Sequence, residues 1–163
     1  MCGCGIRWKN PRLNDSLLWP TRAFVYEHFA ATAGAPSAAD VARHFGLTDG
    51  EAEALLRALH ERHALFLEPG TAPLRVRMAN PFSAIETHHQ TTIGGQTYCA
   101  NCAWDTFGIA AALHAEEAEI HSVCAATGVP IRLRLAGGAV AGDGAMVHFL
   151  VPFAHWFDDL VHT

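Results

Sequence analysis

The sequence predicts an α+β protein. An N-terminal three-helix, winged-helix-like domain over residues 16–72 precedes a small, mostly antiparallel sheet domain with one central helix over residues 73–163. Three observations carry this reading. Two helix-capping signatures, Ser37-x-x-Asp40 and Thr48-x-x-Glu51, lie within fifteen residues of each other. After Pro73 the apolar pattern shifts from helical spacing to alternation. Glycine pairs then punctuate the second half at Gly94-Gly95 and Gly137-Gly138, as hairpins require. With 50% hydrophobic and 17% charged residues the chain is globular in composition, and its 163 residues suffice for one good core or two small ones.

Taken in order, residues 1–15 read as a flexible tail, in which Cys2 and Cys4 flank Gly3. The bland reading is a free terminus, and the sharper one a metal-capturing thiol pair. A first helix is expected from about Ser16 to Ala33, with Leu18, Phe24, Tyr26 and Phe29 in its apolar stripe and Gly34-Ala35-Pro36 ending it. Ser37 to Phe45 forms a short second helix, and Gly46 makes the turn. Thr48 caps a third helix that buries Ala52, Leu55, Leu56 and Leu59. Leu74 to Met78 alternates as a strand, and Ala79-Asn80-Pro81-Phe82-Ser83 turns into the second domain. Ile93-Gly94-Gly95-Gln96 is a hairpin turn into Thr97-Tyr98. Strands follow at Ala118–Cys124, Ile131–Leu135 and Met146–Val151.

Three helices with a tight second turn raise duplex DNA binding. The candidate reading helix, however, opens with Asp49, Glu51 and Glu53, which repel phosphates, and the chain carries a formal charge of −5. A helical packing or lid domain is the better reading, with no nucleic-acid partner. No run of about 20 apolar residues occurs, so no membrane partner is expected. The N-terminus shows no secretory h-region, and five cysteines without a small-scaffold disulfide pattern fit a reducing, cytoplasmic setting.

The chemistry concentrates in Tyr98-Cys99-Ala100-Asn101-Cys102-Ala103-Trp104-Asp105-Thr106. Asn101 reads as the N-cap of a helix running to about Leu113. Cys102 then lies in the first turn, where the helix dipole lowers a thiol pKa. Asp105, three residues on, shares its face. A thiolate beside a carboxylate can bind a soft metal and move a proton. Cys99-x-x-Cys102 also admits a redox pair, and Cys2, Cys4, Cys99 and Cys102 a structural zinc site if the tail folds back. Trp104 is expected to pack beside the site. Cys124, the His88-His89 pair and His148 have ordinary structural readings.

Cys102-Ala-Trp-Asp105-Thr106, followed by His121-Ser-Val-Cys124-Ala-Ala-Thr-Gly128, resembles the core of bacterial organomercurial (alkylmercury) lyases in order and spacing. The resemblance spans roughly Pro73 to Thr163, and the three N-terminal helices fit that family's helical region. It implies cleavage of a carbon–mercury bond by protonolysis, giving Hg(II) and a hydrocarbon. Cys102 would take mercury and Asp105 would pass the proton, with Cys102 and, as an extra thiol, Cys99 as metal ligands. No organic cofactor is implied; mercury is substrate and product. The partners implied are organomercurial small molecules and low-molecular-weight thiols that carry Hg(II) away. Cys124 is implied to be structural. One departure is that the family uses a second catalytic cysteine further on, and no cysteine follows Cys124. His155 to Thr163 resembles the approach to that position. The second thiol, or a selenol encoded by UGA, is therefore expected just after Thr163, and this 163-residue form is expected to turn over weakly. The alternatives are a non-catalytic mercury- or metal-binding relative and a metal-sensing winged-helix regulator.

Overall fold

The computed structural model describes residues 11–142, 144, 146–149, 151–152 and 155–156. The Cys2–Cys4 pair lies outside these residues, as does most of the segment from His155 to Thr163.

Three helices come first: α1 (Pro11–Thr32), α2 (Ala38–Phe45) and α3 (Asp49–Glu61). The helix α1 begins about one turn before the expected Ser16, so part of the anticipated tail is helical. Pro11 suits a first helical position, since its fixed φ is already helical and its missing N–H would have no partner there. Ser37 caps α2 and Thr48 caps α3, each through a reciprocal capping box with Asp40 or Glu51. Gly46 closes α2 with φ 66°, a left-handed conformation that glycine adopts without a Cβ penalty.

Among the described residues eight strands form one sheet: β1 (Phe66–Leu67), β2 (Val76–Ala79), β3 (Phe82–Ser83), β4 (Gln90–Ile93), β5 (Gln96–Ala100), β6 (Glu117–Val123), β7 (Pro130–Ala136) and β8 (Ala139–Gly142). A fourth helix, α4 (Ala103–Ala112), separates β5 from β6. The sheet order is β1-β2-β3-β5-β4-β6-β7-β8, and every pairing is antiparallel. The architecture is therefore α+β. The β1–β2 pair that follows the three helices is hydrogen-bonded into this same sheet through β3.

Several boundaries differ from expectation. The strand expected at Leu74–Met78 forms at Val76–Ala79. Phe82 and Ser83, expected in a turn, pair with both Ala79–Met78 and Ala100–Cys99 and so bridge the two ends of the sheet. The strand β4 carried no alternating apolar signal, because its buried inward residue is the polar Thr91. Met146 to Phe149 and Val151 show no strand, so the expected last strand is not formed at these residues. The hairpins at Gly94-Gly95 and Gly137-Gly138 are both present, with all four glycines at positive φ.

The core runs through both halves of the chain. Val25 and Phe29 of α1, Val41 of α2 and Leu55, Leu56 and Leu59 of α3 join Phe82, Tyr98, Ala100 and Ile109 in one buried cluster. Phe29 stacks on Phe82 with centroids 5.4 Å apart, and the Tyr98 hydroxyl donates to the Ala30 carbonyl at 2.8 Å. Helix α4 lies on the same sheet face, where the Thr91 hydroxyl donates to the Thr106 carbonyl at 2.8 Å. At Gly108 a Cβ would stand only 2.9 Å from Pro81 Cβ, so the absent side chain lets α4 close onto the β2–β3 turn. This contact brings the start of α4 beside Asn80.

Candidate active site

The strand-to-helix corner between β5 and α4 carries the site. Asn101, expected as the cap, is not; Cys102 holds the N-cap position with φ −142° and ψ 174°, and α4 begins at Ala103. A thiol is a weak acceptor, and Cys102 makes no side-chain cap hydrogen bond. Asp105 compensates from the third helical position, where its carboxylate accepts from the Cys102 backbone N–H. The three-residue spacing does what the sequence implied: Cys102 Sγ lies 3.6 Å from Asp105 Oδ2, with the thiol as donor.

The electrostatics differ from the expectation of a lowered thiol pKa. Burial, then the neighbouring Asp105 charge, pushes the Cys102 thiol up. The Asp105 and Trp104 amides at the helix start pull the other way, but less. The helix dipole does not prevail because burial, and then the Asp105 charge, outweigh the helix-start amides. Asp105 is raised too, by burial, against hydrogen bonds from the Cys102 thiol, the Asn101 side chain and the Cys102 amide. The pair therefore favours neutral thiol and carboxylic acid more than free side chains would.

Asn101 instead stands between the Asn80 turn and the acid. Its Nδ2 donates to Asn80 Oδ1 at 3.0 Å while its side chain also hydrogen-bonds Asp105. Asn80 was read only as a turn residue, and nothing local in the sequence links positions 80 and 101. Trp104 is about half exposed and packs edge-on against Phe149, with ring centroids 5.8 Å apart, giving the site an aromatic flank.

Cys99 sits differently. It pairs across the sheet with Ser83 and Gln90, between the inward-facing Tyr98 and Ala100. Alternation thus points it to the sheet face away from α4, whereas Cys102 caps α4 itself. Cys99 is half-buried and Cys124 is a free thiol after β6. Cys124 is drawn down from the usual thiol range by hydrogen bonds from Thr127. His89 Nδ1 meets Ser122 Oγ at 2.8 Å, an ordinary structural contact. Among the described residues no cluster of three or more His, Cys, Asp or Glu could hold a metal ion. No helix of the described residues is long and apolar enough to cross a membrane.

The alkylmercury lyase (MerB) sequence family matches residues 82–162, a span that holds Cys99, Cys102, Asp105 and Cys124. No curated protein matches the chain. Among solved structures, the mercury-bound form of MerB2 superposes with a TM-score of 0.59 at 25% identity, over 80% of this chain. This chain spans 64% of the length of that structure. Residues 82–162, which hold the whole thiol–acid corner, are thus the part of the chain that matches the alkylmercury lyase family.

Proposed function

We propose that the protein cleaves carbon–mercury bonds by protonolysis, releasing Hg(II) and a hydrocarbon, with Cys102 and Asp105 as the catalytic residues. The observation that carries this reading is the 3.6 Å approach of the Cys102 thiol to the Asp105 carboxylate at a half-buried helix start. The matched family, and a mercury-bound relative of the same fold, support it.

The Cys102 thiol gives its proton to Asp105 as sulfur bonds to mercury and displaces the incoming ligand. Mercury is soft, so the sulfur outcompetes oxygen donors by a wide margin. A second thiolate, from the protein or from a low-molecular-weight thiol, adds electron density to the metal and weakens the bond to carbon. Asp105, with its pKa raised by burial, then delivers the proton to carbon as that bond breaks. The products are the hydrocarbon, a carboxylate at Asp105 and Hg(II) on sulfur, which leaves by exchange with external thiol. No organic cofactor takes part. Cys99 serves at most as an auxiliary mercury ligand. The three N-terminal helices, residues 16–72, act as a packing or lid unit over the sheet domain, 73–163, and the setting is the cytoplasm.

The test uses phenylmercury, with benzene release and mercury binding followed separately. Cys102→Ser is expected to abolish both, because a hydroxyl is a poor ligand for a soft metal. Asp105→Asn is expected to bind mercury and lose benzene release. Unchanged binding in Cys102→Ser would refute the reading.

A further inference from the structure

Helix α1, far from the motif in sequence, reaches the rear of the acid through a chain of side chains. Arg22 Nη2 donates to the Tyr26 hydroxyl at 3.2 Å, and the Arg22 guanidinium carbon lies 4.5 Å from the Tyr26 ring centroid. The Tyr26 hydroxyl donates to the Asn80 backbone carbonyl at 2.8 Å. Asn80 Oδ1 accepts from Asn101 Nδ2 at 3.0 Å, and the Asn101 side chain bonds Asp105. The Tyr26 ring is fixed in turn by an edge contact to Phe82, with centroids 6.3 Å apart. The two middle links, Tyr26 to Asn80 and Asn80 to Asn101, join segments that sequence separates widely.

We infer that Tyr26, held by Arg22, is a positioning residue: by pinning the Asn80 turn it fixes the Asn101 amide, and so the rotamer in which Asp105 faces Cys102. The inference rests on the lyase reading for its consequence in catalysis, but not for its geometry. The reasons are physical. Asn80 sits in the two-residue turn between β2 and β3, and its backbone carbonyl accepts the Tyr26 hydroxyl. An amide side chain has two donor hydrogens and can bridge two acceptors only when both are held in place. Here one acceptor is Asn80 Oδ1 and the other Asp105, so an Asn80 that drifts would release Asn101 from Asp105. Proton delivery to carbon depends on sub-ångström placement of the acid, so such a loss should appear in turnover rather than in substrate binding. Burial, then Arg22 and Asp105, set the tyrosine's own ionisation, with burial and Asp105 raising it; the hydroxyl therefore stays a donor across the working pH range.

Tyr26→Phe keeps the ring against Phe82 and deletes only the hydroxyl. Two readouts apply. In mercury-free, nitrogen-15-labelled protein, the Asn101 side-chain amide resonances are expected to shift and to exchange faster with water. In phenylmercury turnover, kcat is expected to fall about five-fold with KM unchanged, the loss typical of one positioning hydrogen bond. Arg22→Gln, which leaves the apolar packing of α1 intact, is expected to move both readouts in the same direction by a smaller amount, and it decides the matter if Tyr26→Phe does not fold. Unchanged Asn101 resonances together with unchanged kcat would overturn the inference while leaving the lyase reading intact. If the parent protein does not release benzene, the lyase reading falls, and the amide resonances alone judge whether Tyr26 positions Asn101.

Discussion

Replacing Asp105 with asparagine should lower the pKa of the Cys102 thiol. The two groups stand 3.6 Å apart, and the Asp105 charge is the second cause, after burial, of the thiol's raised pKa. At that separation two unit charges interact by about 1 kcal/mol in bulk water and by about 4–5 kcal/mol at an effective dielectric of 20. Either value is large enough to move the thiol's titration measurably downward once the charge is gone. The site is half-buried, so the charge effect is screened less than at an open surface. The Asp105 and Trp104 amides remain at the helix start and favour the thiolate once the carboxylate is gone. The assay is the pH dependence of iodoacetamide alkylation, read by mass spectrometry on the Cys102 peptide so that the other cysteines do not contribute. A Cys102 pKa that is unchanged or higher in Asp105→Asn would refute the electrostatic account of the corner. Stability should change as well, and its sign is fixed by linkage. The folded state holds the Asp105 proton more tightly than the unfolded chain does. Parent stability is therefore fullest below the unfolded carboxylate pKa and declines as pH rises through the folded value. The neutral amide removes that decline, so Asp105→Asn should be the more heat-stable protein at neutral pH although it cannot deliver a proton.

Gly108→Ala sets a helix-propensity gain of about 1 kcal/mol against overpacking of about 1–3 kcal/mol. Pro81 Cβ stands 2.9 Å from the new methyl and belongs to a ring that cannot rotate away, so a net loss of stability is expected in urea titration, with reduced turnover as α4 lifts from the Asn80 turn. A stabilised variant would show that the turn yields freely. Ser37→Ala should cost about 1 kcal/mol through loss of the α2 cap, again read by urea titration. Its partner Asp40 is held down to about 2 by hydrogen bonds from Ser37. The parent should therefore lose the Asp40 contribution as pH falls from the ordinary carboxylate value toward 2, and Ser37→Ala should show a weaker acid dependence. Equal acid dependence in the two proteins would remove the cap as its source.

Local rules carried a long way here. Ser37 with Asp40 and Thr48 with Glu51 set two helix starts, because a cap and its third-position partner lie within one turn and need no other part of the chain. Gly94-Gly95 and Gly137-Gly138 marked hairpins because a tight turn demands positive φ where it occurs. The Cys102–Asp105 pair was legible for the same reason: three-residue spacing at a helix start places the two side chains together whatever the rest of the fold does. Features that depend on distant segments were not legible. Strand β4 is held by neighbours on both sides and buries a threonine, so it lacks a periodic apolar signature. The sign of the Cys102 shift depended on burial at the corner, which arises only when α4 packs against the sheet beside the Asn80 turn. Cys99 looked like a partner for Cys102 at three-residue spacing, but that spacing crosses from a strand into a helix, and the pleat turns Cys99 to the other face. Asn80, Tyr26 and Arg22 meet the acid only because α1 lies against the β2–β3 turn. Sequence alone thus determined which residues could carry the chemistry, since those signals act within a helical turn; tertiary packing decided how they are protonated and held, since desolvation and long-range hydrogen bonds exist only once the elements meet.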